Sequence, residues 1–298
     1  MEQRQFGGTD MRVSVLGFGG AEIGFEQASL ENVKLLLTTA LDVGLNVIDT
    51  AECYLASEEL IGQAVGHLRS KYHLFTKCGH PQQVGVGDWR KESLLESIVR
   101  SLLRLKTDRV DLIHLHSCPE DELRKGEVIA ALQEAREKGY TRYIGYSGDG
   151  SAARYAVECG VFDSLQTSVS IADQEAIDLT LPLARERKMA VIAKRPIANA
   201  AWRYQQKPTV AYHQTYWERL QKLTYDFLKG DPRQAASIAL RFTLGVPGVH
   251  TAIVGTKNPN RCRENAELLK EGPLPREQYD AIRARWKSVA DKSWVGQT

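Results

Sequence analysis

The chain reads as a (β/α)8 TIM barrel, an α/β fold in which eight parallel strands alternate with helices. Short β-branched runs alternate with longer stretches of helical periodicity, the pattern of repeated βα units. Eight such runs can be counted. Polar residues able to do chemistry gather at the C-terminal ends of those runs, where barrels of this kind carry their sites. An open, doubly wound sheet is the competing arrangement of the same units.

Residues 3–13, "QRQFGGTDMRV", precede the repeat and read as a hairpin around a Gly-Gly-Thr-Asp turn that closes the bottom of the barrel. The strands then follow at 13–19, 45–49, 73–77, 110–116, 142–147, 164–168, 189–193 and 250–254. Between them, segments 29–44, 91–105 and 121–139 place apolar residues at three- and four-residue spacing, and two of these segments stop at a glycine suited to a helix end. One long insertion interrupts the pattern after the seventh strand, at 197–231, and carries Trp202, Tyr204, Tyr212, Tyr216, Trp217 and Tyr225. Long loops of this kind line sites or move; local packing of the loop on itself is the alternative.

No Pro-, Gly- or Ser-rich linker divides the 298 residues, so a single domain spanning 1–298 is expected. The formal net charge of +2 leaves no extended basic or acidic field, which argues against nucleic acid or an anionic membrane as partner. The N-terminal segment lacks the order of a secretory signal, and no apolar run approaches the roughly 18 residues that span a bilayer; a cytoplasmic protein is expected. Five cysteines without a CxxC pair suggest neither a disulfide framework nor a zinc ribbon, and read as buried thiols. Oligomeric state is left open.

At the strand ends stand Asp49, Lys77, His116 and Ser147; Gln166 lies on the sixth strand, Lys194 follows the seventh and Thr256 the eighth. Each has an ordinary explanation: a helix cap for Asp49, a solvated charge for Lys77, a satisfied core histidine for His116. Together, on one face of one barrel, they make chemical sense. A carboxylate at the end of a buried strand needs a partner, and a lysine beside Asp49 supplies one. A charged lysine near a phenol favours the phenolate, so Tyr54 becomes a usable acid although free tyrosine titrates near pH 10. His116 then donates or accepts a hydrogen bond at a substrate oxygen. His114 shares its face by the two-residue period and is a second candidate to line the site.

The ordered motifs "NVIDTAECY", "LFTK", "VDLIHLH", "YIGYS", "SLQTS" and "IVGTKNPNRCREN" resemble those of the aldo-keto reductase superfamily over nearly the whole chain. The resemblance implies a catalytic tetrad of Asp49, Tyr54, Lys77 and His116. It also implies that Ser147 and Gln166 hold a nicotinamide carboxamide and that Gly20 lies close to the cofactor. Thr256, Lys257 and Arg261 would stand near the ribose phosphate, Glu264 and Asn265 near the adenine. "GFGG" at 17–20 fails the GxGxxG pattern, so dinucleotide binding does not rest on a Rossmann turn. Two departures stand out. Ser147 is followed by Gly148 rather than Asn, so one carboxamide contact is lost or comes from Asp149. Lys194 occupies the place where many members stack an aromatic ring on the nicotinamide; its charge hints at binding of the reduced, neutral ring.

The expected function is NADP(H)-dependent reduction of an aldehyde or ketone, or oxidation of a sugar or alcohol in reverse, with Tyr54 as proton donor. Ala21, Glu22, Cys118 and the aromatic insertion are expected to shape the pocket for this small molecule. The alternative from another class is a regulatory barrel that senses NADPH while its chemistry is slow. A lyase or isomerase using His116 as base is a third reading, but the sequence offers it neither a metal cluster nor a phosphate-binding Gly-rich loop.

Overall fold

The structure is a computed structural model that describes residues 1–297 apart from Gln82 and Val84. Strands Leu16–Gly19, Val47–Asp49, His73–Cys78, Val110–His116, Thr141–Ser147, Ser164–Ser168, Ala190–Lys194 and Thr251–Gly255 are barrel strands one to eight. They pair parallel in chain order, and the eighth closes on the first through Ala252↔Leu16 to Gly255↔Gly19. The open sheet is thereby excluded.

The run 13–19 is not one strand. Arg12–Ser14 pairs antiparallel with Gln3–Gln5 as the hairpin, the chain turns at Val15, and only Leu16–Gly19 enters the barrel. Buried apolar residues on both sides of Val15, Val13 before it and Leu16 after it, concealed the break, because the hydrophobic pattern alone does not mark a corner. Phe6, Met11 and Val13 of the hairpin are buried against Val47, Phe75, Leu112, Ala190 and Ile192, a small apolar plug separate from the main core. Phe6 stacks on Phe75 at 5.6 Å. Gly7, at φ +54°, lets the turn pass so close to strand seven that a Cβ there would sit 2.5 Å from the Ala190 nitrogen.

Around the barrel the helices turn apolar residues inward, and Pro232–Gly245 is buried on every side from Ser237 to Leu244. Leu30–Asp42 opens with Ser29, whose side chain accepts from the Asn32 N–H, and buries Val33, Leu36, Leu37 and Ala40. Lys91–Leu105 matches its expected bounds. The segment 121–139 instead forms two helices, Glu120–Lys125 and Glu127–Glu137, because Gly126 adopts φ +85° between them. Glycine enters that left-handed region at no steric cost, so a periodic sequence can still be cut there.

The insertion is more than a loop. It contains a turn at Ala198–Arg203, a helix at Ala211–Leu223 and a short turn at Asp226–Leu228. Its aromatics divide. Tyr216 and Tyr225 join the main core with Leu220 and Leu223, whereas Tyr204 and Tyr212 are exposed. Among the described residues no helix is long and apolar enough to cross a membrane.

Candidate active site

Barrel register assembles the polar set. Lys77 pairs with His114, His116 with Ser147 and Ser147 with Gln166, so four neighbouring strands present their side chains at successive levels. Asp49 and Lys77 are both about 1 % exposed. The Lys77 ammonium donates to Asp49 Oδ2 at 2.5 Å and to the Thr50 carbonyl at 2.7 Å. Gln166 Nε2 donates to the other Asp49 oxygen at 2.9 Å, and Ser147 Oγ donates to Gln166 Oε1 at 3.1 Å. The carboxylate at the end of strand two thus has its compensating charge. Burial pushes its carboxyl above the usual range, while Lys77 and Gln166 oppose that rise.

Tyr54 lies on the loop that leaves strand two. Its ring is partly buried, with the Lys77 ammonium 5.0 Å from the ring centroid and the His116 ring edge-on at 5.8 Å. The backbone of helix Ala21–Phe25 presses on this loop: a Cβ at Gly24 would lie 1.9 Å from the Tyr54 carbonyl oxygen. Ser57, hydrogen-bonded to the Gly20 carbonyl at 2.7 Å and to Thr50 Oγ1 at 2.8 Å, ties the end of strand one to the same loop. The expected depression of the phenol is not what this geometry gives. Burial, then the Asp49 charge, pushes the Tyr54 hydroxyl well above its ordinary value. The Lys77 ammonium stands over the ring, 5.0 Å from its centroid, and its charge is already matched by Asp49. A phenol in this state keeps its proton, which is the form a general acid must start from.

His116 is neutral: burial, with the Lys77 charge beside it, holds the imidazole well below its usual range. Its Nδ1 lies 3.5 Å from Cys53 Sγ. His114 is fully buried below this level, with Nε2 3.4 Å from Ser164 Oγ, and its ring fills the space over Gly145, where a Cβ would approach Cδ2 to 2.5 Å. It belongs to the barrel interior beneath the site.

The residues assigned to the dinucleotide are spread along the rim. Ser147 and Gln166 place a hydroxyl beside a primary amide, a donor and acceptor set that suits a carboxamide. Asp149 cannot replace the missing Asn contact, because its carboxylate accepts from Thr167 Oγ1, the Ser168 N–H, Ser168 Oγ and Lys194 Nζ. Lys194 also reaches the Gln297 carbonyl at 3.1 Å. Burial, reinforced by Arg195, lowers its ammonium to about 8 although Asp149 supports the charge. On the far side, Thr256 Oγ1 accepts from the Asn258 N–H, and Asn258 caps helix Pro259–Leu268. Lys257 pairs with Glu26 at 2.9 Å and Arg261 with Glu264 at 2.7 Å, while Asn265 is buried.

Four residues at the site were not singled out from the sequence. Glu52 is a buried carboxylate that accepts from the Gly79 and His80 N–H groups at 2.6 and 2.9 Å, from Ser97 Oγ and from Arg100. His80, so anchored, sets its ring 5.3 Å from His116 and 5.4 Å from Trp89, so that Trp89, His80, His116 and Tyr54 form a continuous edge-to-face wall. Arg195 binds the Tyr212 hydroxyl at 3.0 Å, Ser168 Oγ at 3.1 Å and the Gln297 carbonyl. Cys53 is the fourth. A signal existed only for Glu52, a second acid inside a strand-end motif; the others depend on partners far away in sequence.

Residues 15–287 match the aldo/keto reductase family. The chain is 28% identical over 306 residues to the uncharacterized oxidoreductase YqkF of Bacillus subtilis (strain 168), covering 96% of this chain and 97% of that one. It is 26% identical over 312 residues to L-galactose dehydrogenase of Arabidopsis thaliana, covering 99% and 97%. The holo form of the aldo-keto reductase AKR11C1 from Bacillus halodurans has a TM-score of 0.84 at 26% identity over 99% of both chains. A parallel eight-stranded barrel with a bottom hairpin and this family match over most of its length leave one assignment: the chain belongs to the aldo/keto reductase family and is an NAD(P)-dependent oxidoreductase.

Proposed function

We propose that this chain, acting as one domain over residues 1–298, reduces a small aldehyde or ketone with NADPH and that Tyr54 delivers the proton. The observation that carries the reading is the buried Lys77–Asp49 pair under the Tyr54 ring, with a neutral His116 against the ring's edge. When bound, the dinucleotide supplies the hydride. Ser147 and Gln166 hold its carboxamide, and Gly20 lies beside it. His116 orients the carbonyl, Tyr54 gives its proton to the developing alkoxide, and the adjacent ammonium stabilises the phenolate that remains. Asp49, itself held by Gln166, and the Thr50 carbonyl keep the ammonium in place throughout.

Lys257, Arg261 and the Thr256 hydroxyl are assigned to the 2′-phosphate, Glu264 and Asn265 to the adenine. Both cations already hold a carboxylate on a half-exposed surface. A phosphate therefore competes with Glu26 and Glu264 and succeeds through charge and two-point contact with the guanidinium. Arg261→Ala is expected to weaken NADPH by about 2 kcal/mol and NADH by much less; equal losses in fluorescence titrations of the two cofactors would show that Arg261 does not distinguish them. Lys194, its ammonium held by Asp149, is assigned to the rim of the nicotinamide site.

Single-turnover mixing of NADPH-loaded protein with a reactive aldehyde tests the whole reading. Loss of NADPH absorbance at catalytic rates supports it. Bound cofactor that survives every aldehyde, ketone and sugar offered would favour the sensor instead.

A further inference from the structure

Cys53 stands directly before Tyr54, 4 % exposed, with its sulfur 3.5 Å from Nδ1 of His116. The contact has one consequence for the histidine. Lys77, Lys194, His80, His114 and Tyr54 surround His116, and a further cation among the two ammonium groups is disfavoured, so the ring carries a single N–H. That proton is on Nδ1 or on Nε2. Cys53 keeps its own: burial pushes the thiol up to about 12, with Glu52 and Glu58 adding to the rise and Lys77 opposing it. Among the described residues the sulfur has no other hydrogen-bond partner, and Nε2 has none at all.

If Nδ1 carried the proton, it would point at a weak acceptor, the S–H would lie unpaired in a buried place, and a bare nitrogen would face any arriving carbonyl oxygen. The reverse arrangement satisfies both groups, since an imidazole nitrogen is a good acceptor and a thiol a weak donor. We propose that Cys53 is a positioning residue whose S–H donates to His116 Nδ1, fixing the ring as its Nε2–H tautomer and leaving that N–H to meet the substrate carbonyl. The last clause rests on His116 as the group that orients the carbonyl; the first does not.

The test uses the full chain with 15N-labelled histidine and no ligand. Long-range 1H–15N correlations distinguish the two tautomers, and the His116 signal is identified by its loss in His116→Gln. The wild type should show Nε2–H. Cys53→Ser should retain it, and Cys53→Ala should bring in the Nδ1–H form while unfolding as cooperatively as the wild type. In steady-state assays Cys53→Ala should raise KM for the carbonyl about five-fold, with dinucleotide affinity unchanged and Cys53→Ser restoring the value. An Nδ1–H ring in the wild type, or a tautomer indifferent to Cys53→Ala, overturns the proposal. A shifted tautomer with an unmoved KM upholds the contact and overturns the placing of His116 against the carbonyl. Should Cys53→Ala not fold, Cys53→Val and Cys53→Ser carry the same comparison.

Discussion

Tyr54 and Lys77 divide two tasks that the sequence alone merges into one. The lysine's partners are Asp49 and the Thr50 carbonyl, and its position over the ring face suits a phenolate that forms late rather than a phenol already ionised. Replacing Tyr54 with Phe removes the acid and leaves the ring's packing. Turnover should fall by roughly two to four orders of magnitude with NADPH affinity little changed, and near-normal turnover would exclude Tyr54 as donor. Lys77→Met should act first on the fold, since it strands a carboxylate about 1 % exposed; breaking such a pair costs about 3–5 kcal/mol. The Asp49→Asn, Lys77→Met double variant should recover part of that loss in urea denaturation. A double variant no more stable than Lys77→Met would mean that the pair does not compensate the buried charge. Asp49 and Lys77 were legible because each stands at the end of a strand whose period is plain, and Tyr54 through the motif that continues from Asp49. His80 and Arg195 were not, because they lie in aperiodic loops and acquire their meaning from His116 and Gln297, residues that only the closed barrel brings near.

The elements were legible to the degree that their hydrophobic period was uninterrupted. Helix Lys91–Leu105 has one apolar stripe and was readable to the residue; the corners at Val15 and Gly126 fall inside periodic sequence and were not. The insertion shows the same limit at larger size, because its aromatics look alike in sequence and part in space. Tyr216 is wholly buried and donates to Asp173 at 2.5 Å, while Asp173 also binds Arg219, whose guanidinium holds the Val295 carbonyl at 2.7 Å. Tyr212, 48 % exposed, touches Arg195 near the site mouth. Tyr216→Ala should therefore lower stability by about 3–5 kcal/mol, the range for an aromatic removed from a core. Tyr212→Ala should leave the unfolding midpoint nearly unchanged and shift KM among carbonyl substrates. Similar stability losses in the two variants would show that the insertion is one packed unit with no separate site-facing edge.

Across the whole molecule the barrel is closed differently at its two ends. Phe6, Met11 and Val13 plug the bottom with apolar side chains, while the top is crossed by residues 294–297, held through Arg219, Lys194 and Arg195. Between the two lie His114 and His116, both held neutral by burial with Lys77 as a second cause. A histidine whose folded pKa is depressed contributes stability that is present above its unfolded pKa, about 6.5, and is lost as pH falls through the folded value, because the unfolded chain binds the extra proton. Buried carboxyls act in the opposite sense: Asp49, Glu58 and Asp173, the last raised to about 7 chiefly by burial, favour the folded state in its protonated form and oppose that loss. The net acid slope of the wild type is thus a difference, and the informative quantity is the change in slope when one contributor is removed. His114→Asn deletes one buried imidazole below the level of Tyr54 and His116. Its intrinsic cost is common to all pH values and cancels. Between pH 6.5 and 5 the variant should lose less stability than the wild type, by at most about 1.4 kcal/mol per pH unit, the worth of one proton taken up only by the unfolded chain. Urea denaturation at a series of pH values measures both slopes, and parallel curves would mean that His114 titrates alike in the folded and unfolded chains, against the burial that defines its place.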